Sequence, residues 1–189
     1  QKYGTFLILD EVGTGFSRCG TLFGMQLENV VPDIVTFAKG MCNGAVAIGT
    51  MVTTQEIAEK TYAKTNLTST FGWTPIACAV ALKTLQIHKR DKIWLKAKID
   101  GKYMLEILKK ELNNCPSIEY IDGMGLEVGV HLKKIDGQKS LTRRMIEKAH
   151  KKGLHLAYAD DFNFQLMPPL TIKRDVLEKG VEIFINLFK

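Results

Sequence analysis

The sequence predicts an α/β protein in which the second part of a mostly parallel sheet is followed by a smaller α+β lobe. Three patterns support this fold class: continuous apolar runs of strand length in the first half, a long amphipathic helix from about residue 91, and alternating segments separated by turn glycines after it. Continuous apolar runs are typical of strands buried on both faces of a parallel sheet. We therefore divide the 189 residues into a sheet domain, 1–91, and a small domain, 92–189.

The first half contains three predicted strands and one predicted helix. The strands are the runs "TFLILD", "DIVTFA" and "AVAIGTMVT", of which the last follows a glycine turn. A helix then begins at Pro75, because proline is favoured at the first helical position, and Thr74 is its capping residue. This helix continues through "PIACAVALKTLQIHKR", and its alanine-rich start favours close packing.

The second half alternates between helices and strands. After the long amphipathic helix, "IEYIDGMGLEVGVHL" predicts a hairpin, "SLTRRMIEKAHKKG" predicts a helix ending at Gly153, and "LHLAYA" and "FNFQLM" predict two strands. Apolar residues at helical spacing form the inward faces of the first and last helices. They are Ile93, Ala97, Met104, Leu108 and Leu112 in the first, and Leu177, Val181, Phe184 and Phe188 in the last.

Composition and charge disfavour several classes of protein. The net charge of +6 arises after Leu82, since the residues up to it carry −1 and the later ones +7. The later lysines are interleaved with acids and lack aromatic stacking platforms, which favours a solvated helix face over a nucleic-acid interface. No apolar run reaches membrane-spanning length. Four dispersed cysteines without a C-x-x-C pair give little support to a zinc site and suit a reducing cytoplasm, so we expect a soluble cytoplasmic protein.

Two glycine-containing segments fail as nucleotide-binding loops. "GTGFSR" follows the first strand but has Arg18 where the dinucleotide motif needs glycine, and "DGMGLEVG" precedes strand-like residues. The chain contains no G-x-x-x-x-G-K-[ST] motif. A nucleotide-binding sheet domain is therefore a disfavoured function.

Lys39 is the only charged residue among the 22 positions from Ile34 to Gln55. It follows the second predicted strand, and Asp10 and Glu11 end the first, so these side chains lie where open parallel sheets bind ligands. We expect Lys39 and Asp10 to be desolvated, which makes the lysine a neutral nucleophile and gives the aspartate need of a cationic partner. Pyridoxal 5′-phosphate (PLP) requires both groups, for its aldehyde and its protonated ring nitrogen. The alternative is a surface lysine beside a loop or helix-capping carboxylate.

A third segment offers a site for the phosphate of such a cofactor. Hydroxyl groups and backbone N–H groups ahead of a helix suit phosphate oxygens. Residues 65–82 carry no charge but contain five such hydroxyl side chains, Thr65, Thr68, Ser69, Thr70 and Thr74. The alternative is that these are turn and capping residues.

Four motifs, in order along the chain, carry a resemblance to a known family. "LILDEVGTGFSRCG", "PDIVTFAKG", "STFGWTP" and "LMPPLTI" resemble the class III aminotransferases of the ornithine/4-aminobutyrate type, which are PLP enzymes of fold type I. The separation of 29 positions between Asp10 and Lys39 also matches that family. The resemblance implies the second part of the large sheet domain and the C-terminal small domain of that fold.

The resemblance implies a role for each matching position. Lys39 matches the lysine that forms a Schiff base with PLP and moves the substrate α-proton, and Asp10 matches the aspartate at the pyridine nitrogen. Val12 matches the residue packed on one face of the ring. Thr70 matches a threonine that reaches the phosphate of the neighbouring subunit's cofactor, which implies a homodimer. The implied reaction is a ping-pong transfer of an amino group from an amine or amino acid to an oxo-acid.

Two positions depart from the family pattern. Gly13 stands where several members have a glutamine that contacts the cofactor's phenolic oxygen, and Gln165 stands where many have an arginine that clamps a substrate carboxylate. Because an amide cannot form the bidentate, charge-assisted pair of a guanidinium, amines and ω-amino acids become candidate substrates.

The resemblance covers only the C-terminal half of the family's longer chain, and a strand-like run occurs almost at the first residue. We therefore expect a fragment that does not transaminate alone. Two alternatives stay open. One is a decarboxylase, racemase or aminomutase reaction with the same lysine and aspartate, and the other is a non-catalytic remnant that binds a partner chain.

Overall fold

The structure is a computed structural model that describes residues 3–62, 64–65, 69–134 and 141–189. The chain divides into two units, Gln1–Trp94 and Leu95–Lys189, and each contains one three-stranded sheet. Within the described ranges, no helix combines the length and apolarity needed to cross a membrane. The helices are α1 (Gln55–Tyr62), α2 (Pro75–Asp91), α3 (Ile93–Leu112), α4 (Leu141–Lys151) and α5 (Arg174–Ile185).

The sheet of the first unit is mixed. Its strands are β1 (Ile8–Asp10), β2 (Ile34–Phe37) and β3 (Thr50–Thr53), in that spatial order. β1 and β2 are parallel, with Asp10 opposite Thr36, whereas β3 is antiparallel to β2. All three strands lie in predicted segments, and β3 occupies only the last four residues of "AVAIGTMVT".

Among the described residues of the first unit, packing covers one face of this sheet. Val35 and Phe37 of β2 are buried and pack with Phe16 and with side chains of α2, namely Val80, Ala81 and Leu85. On the opposite face the side chain of Ile8 is 60% exposed. The expectation of strands buried on both faces is therefore wrong for this unit by itself, because α2 and the loop after β1 both pack on the same side.

The loop after β1 is held to α2 by a buried polar contact. Ser17 Oγ lies 2.7 Å from His88 Nδ1, and the Phe16 ring packs edge-on against the His88 ring. Phe16 and Ser17 both have positive φ, 53° and 73°, a region that non-glycine residues seldom occupy. Burial lowers the pKa of His88, so the ring is uncharged at neutral pH. Tertiary contacts therefore maintain a strained loop conformation.

The helices of the first unit agree in part with the sequence. α2 begins at Pro75 as predicted, and Thr74 has the extended backbone of a capping residue, but its side chain makes no capping hydrogen bond. Lys92, in the left-handed conformation, ends the helix. The short helix α1 was not predicted, because its sequence places no residue in the core that would reveal a helical period.

The sheet of the second unit is antiparallel. β4 (Ile118–Met124) and β5 (Glu127–Leu132) form the predicted hairpin, and β6 (Asn163–Leu166) pairs with the other edge of β5. The inward side chains of the sheet pack on the predicted apolar faces of the helices. Among the buried residues of this core are Val128, Val130, Leu132, Met104, Leu108, Met145, Leu177, Val181 and Phe184.

The segment "LHLAYA", predicted as a strand, has no regular secondary structure. Leu154 and Leu156 pack against the core, which explains their alternation with polar residues. Tyr158 is used differently, since Arg143 lies over its ring and its hydroxyl donates to Asp161 Oδ1. The alternating pattern therefore reflects side-chain packing rather than strand pairing, and the prediction is wrong.

A buried carboxylate connects α3 with the start of α5. Asp100 accepts a hydrogen bond from Arg174 Nη2 at 2.7 Å and pairs with Lys96 on its own helix. The Arg174 guanidinium also lies over the Tyr103 ring, 4.4 Å from its centroid. These partners compensate the burial of Asp100, whereas removal of one of them would leave an uncompensated charge.

We expect Gly101→Ala in α3 to lower the free energy of unfolding by about 3 kcal/mol or more, because overpacking against backbone cannot relax. A Cβ atom at Gly101 would lie 1.7 Å from the Gly125 carbonyl oxygen. Gly180→Ala is the matched control, since its Cβ would meet only Leu154 Cδ1 at 3.6 Å. The control should raise stability by about 0.5–1 kcal/mol through helix propensity. Urea unfolding followed by circular dichroism measures both, and equal effects would contradict the close approach.

Candidate functional site

The ends of β1 and β2 form the candidate site. Because these strands are parallel, their carboxyl ends lie at one edge of the sheet, which is where open α/β sheets bind ligands. Asp10 is the last residue of β1, and Val12 follows two positions later. Lys39 lies two positions beyond the end of β2. Three predicted site residues, Asp10, Val12 and Lys39, therefore lie at or just beyond two strand ends that meet at one edge of the sheet.

Asp10 presents its carboxylate on the uncovered face of the sheet. Its Oδ1 atom accepts hydrogen bonds from the Val12 backbone N–H at 2.9 Å and from Thr36 Oγ1 at 3.1 Å. The residue is exposed, so the expected desolvation of Asp10 is wrong for this unit by itself. On this face of the sheet Ile8 and Asp10 are both exposed within the described residues, which leaves the carboxylate open to a ligand.

Glu11, the neighbouring carboxylate, has a structural position instead. It is 3% exposed, and its oxygens accept from the backbone N–H groups of Gly24 and Met25, at 2.8 and 2.5 Å, and from Thr14 Oγ1 at 2.7 Å. These donors use both carboxylate oxygens to hold the turn at residues 24–26. Of the two adjacent carboxylates, only Asp10 is available to a ligand.

Lys39 is exposed, and the expectation of a buried lysine is therefore wrong for the described unit. The apolar residues that surround it in the sequence are buried individually: Phe37, Met41 and Cys42 enter the core beneath Phe16. Lys39 is the first residue of a single 3-10 turn, and its φ of 39° lies in the left-handed region. A left-handed lysine costs about 1–3 kcal/mol, and such residues cluster at functional sites, although Lys92 adopts the same conformation merely to end α2.

The hydroxyl segment before α2 is only partly used by the fold. Thr65 Oγ1 donates to the Thr61 carbonyl at 2.9 Å, which agrees with a turn or capping role. Ser69 and Thr70 are exposed, and Thr68 lies outside the described residues. Within the described ranges no hydrogen bond joins Thr70 to Asp10 or Lys39, so the structure does not bring it into the strand-end site.

Gln165 lies in the second unit, on the outer face of β6. Its Nε2 donates to Glu127 Oε1 at 2.8 Å, and the second oxygen of Glu127 is buried without a partner in the described part of the chain. Sequence reasoning missed Glu127. The signal was the alternation of "LEVGVHL", which puts Glu127 on the outer face while Val128 and Val130 enter the core.

Gly13 has room for a larger residue. A Cβ atom at this position would meet no atom within 4 Å, and its φ is not in the left-handed region. The fold therefore tolerates the absence of a side chain here without requiring it.

The described ranges contain no group of three or more His, Cys, Asp or Glu side chains that could hold a metal ion.

Comparison with known proteins gives extensive matches. A family model for class III aminotransferases matches residues 1–188. The acetylornithine aminotransferase of Bacillus cereus is 35% identical over 183 residues, which are 97% of this chain and 45% of that protein. A Bacillus anthracis aminotransferase structure matches with a TM-score of 0.89 at 30% identity, covering 100% of this chain and 45% of that one. An (S)-enantioselective ω-transaminase structure from Thermomicrobium roseum matches with a TM-score of 0.82 at 37% identity, covering 98% and 43%.

These likenesses define the fold as part of the PLP-dependent transferase fold type I, as the sequence predicted. The chain belongs to the class III aminotransferase family, whose members are PLP-dependent enzymes. It spans just under half the length of the relatives that it matches. The sequence-based predictions of family and cofactor class are therefore confirmed.

We expect replacement of each of the two adjacent carboxylates by an amide to change the free energy of unfolding by very different amounts. Glu11→Gln places an NH2 group against backbone N–H donors and should lower the free energy of unfolding by about 3 kcal/mol. Asp10→Asn keeps the Oδ1 acceptor for Val12 and Thr36 and should change stability by less than about 0.5 kcal/mol. Urea unfolding followed by tryptophan fluorescence is suitable, because both tryptophans lie in the first unit. A large loss in Asp10→Asn would show that this carboxylate is structural too.

Proposed function

We propose that the complete protein is a PLP-dependent aminotransferase and that this chain supplies its lysine and its ring-nitrogen carboxylate. The observation that carries the proposal is the contrast at the strand ends: Asp10 is open to a ligand while Glu11 is consumed by the backbone. Lys39 lies at the same edge in a strained, exposed turn. Fold type I and membership of the class III family support the proposal.

The residues at this edge fit the chemical groups of PLP. An open carboxylate held by two donors suits a protonated ring nitrogen, and an exposed primary amine suits an aldehyde. PLP, when bound, supplies an electron sink that stabilises negative charge on the substrate α-carbon. In this proposal Asp10 would keep the proton on the ring nitrogen, Val12 would pack against the ring, and Lys39 would hold the cofactor and move the proton at the substrate α-carbon.

The exposure of Asp10 and Lys39 in this unit gives the remainder of the protein a defined task. Water must be excluded from both groups, because an ion pair and a neutral amine both depend on a low local dielectric constant. We infer that chain outside residues 1–189 and a second subunit provide that cover. In this homodimer Thr70 would reach the phosphate of the neighbouring subunit's cofactor.

The proposal assigns residues 1–91 to the cofactor-binding domain and residues 92–189 to the small domain. The amino donor and the oxo-acid acceptor are small molecules, and a cytoplasmic location stays a prediction. In this proposal Gly13 cannot make the contact to the cofactor's phenolic oxygen that a glutamine makes in several members. The open space at Gly13 would admit a glutamine side chain, so Gly13→Gln could restore that contact.

Reductive trapping tests the proposal in the full-length protein. Borohydride fixes PLP on the lysine that binds it, so peptide mass mapping should find the label on Lys39 and lose it in Lys39→Ala. Lys60→Ala is the control, since Lys60 is an exposed lysine of the same unit that pairs with Glu56. Incubation with an amine donor and no oxo-acid acceptor should release about one molar equivalent of oxo product per subunit, which identifies transamination.

Several outcomes would contradict this proposal. Label spread equally over surface lysines would remove Lys39 from its role, and absence of label would favour the non-catalytic remnant. Carbon dioxide release or inversion of the donor without oxo product would favour a decarboxylase or a racemase on the same fold.

Gln165 and Glu127 point to a substrate preference within this proposed function. An arginine clamp would place a cation where this chain places an amide that is held by a carboxylate. A carboxylate disfavours a second carboxylate nearby and favours cationic or neutral groups. Of the two candidate donor classes, amines and ω-amino acids, we therefore propose that amines, which carry no carboxylate, are preferred, and the likeness to an ω-transaminase is compatible with this.

We expect Gln165→Arg alone to change donor preference little, because the new guanidinium would pair with Glu127. The double variant Gln165→Arg/Glu127→Gln frees the guanidinium and should raise kcat/KM for 4-aminobutyrate by about tenfold relative to butylamine. These donors differ only in the carboxylate, and Glu127→Gln alone is the control. An unchanged ratio in the double variant would show that position 165 does not contact the donor.

A further inference from the structure

We propose that Thr36 is a positioning residue whose hydroxyl orients Asp10 toward the cofactor. This inference rests on the proposed role of Asp10 and concerns a residue of the segment "PDIVTFAKG" to which the resemblance assigned no role. Asp10 and Thr36 lie directly opposite each other in the parallel pair β1 and β2. Thr36 Oγ1 donates to Asp10 Oδ1 at 3.1 Å.

The distribution of donors around Asp10 is one-sided. Thr36 Oγ1 and the Val12 backbone N–H both donate to Oδ1, and no hydrogen bond within the described ranges reaches Oδ2. Two donors on one oxygen restrict rotation of the carboxylate about its χ2 angle. The second oxygen is thereby left unpaired on the uncovered face of the sheet, in a fixed orientation for a cationic group.

The fold alone does not require a hydroxyl at position 36. Val35 and Phe37 point into the core, so alternation along β2 places the Thr36 side chain on the open face. The backbone of Thr36 is already fixed, since its carbonyl accepts from the Glu11 N–H at 3.0 Å. Valine has the same shape and an equal preference for strands, and only the hydroxyl distinguishes threonine here. The hydroxyl therefore serves Asp10 rather than the strand.

The test measures PLP affinity of the full-length protein by equilibrium dialysis for Thr36→Val, Thr36→Ser, Asp10→Asn and the double variant Thr36→Val/Asp10→Asn. We expect Thr36→Val to weaken binding by about tenfold, as for loss of a hydrogen bond to a charged group. Thr36→Ser should restore affinity to within about twofold of the original, because it restores the donor. In the Asp10→Asn background, Thr36→Val should add no further loss.

Each outcome separates the inference from the function on which it rests. If Asp10→Asn leaves PLP affinity unchanged, the proposed role of Asp10 fails, and the inference fails with it. If Asp10→Asn weakens binding but Thr36→Val does not, only the inference is overturned. Equal losses from Thr36→Val in both backgrounds would also overturn it, since the hydroxyl would then act independently of Asp10. Urea unfolding of the apoprotein checks that Thr36→Val leaves the fold intact.

Discussion

The parallel pairing of β1 with β2 is the interaction on which the site depends. Its register sets Asp10 opposite Thr36 and brings the ends that lead to Val12 and Lys39 to one edge. β3 cannot contribute its carboxyl end there, because it is antiparallel and its first residue lies opposite Phe37. A slip of β1 by one residue would exchange the two faces, turning Asp10 inward and Glu11 toward the ligand side.

Much of the fold and part of the site could be predicted from local patterns. Strand runs, the helix start at Pro75 and the apolar faces of α3 and α5 follow from periodicity and breakers, which act over a few residues. The exposure of Asp10 and the burial of Glu11 could not be predicted, because they depend on which face of the sheet the rest of the unit covers. The lack of other charges around Lys39 wrongly predicted that the lysine is buried, for a related reason. Its apolar neighbours in the sequence are buried, but the lysine itself is exposed.

Family membership and physical detail answer different questions about this chain. The match to class III aminotransferases identifies the fold and the class of cofactor, although the chain spans just under half the length of its relatives. The donor preference proposed above rests instead on a contact seen in this chain, the hydrogen bond from Gln165 to the carboxylate of Glu127. The second oxygen of Glu127 is buried without a partner in the described part of the chain, and burial of such an oxygen costs about 1–3 kcal/mol.

The contact between Ser17 and His88 has a consequence for the order of folding. These residues are 71 positions apart, so the strained loop after β1 gains this contact only when α2 has docked. The hairpin of β4 and β5, by contrast, joins residues that are close in sequence. During synthesis, the contact that joins the loop to α2 therefore forms only after the ribosome has released the residues of α2 through His88.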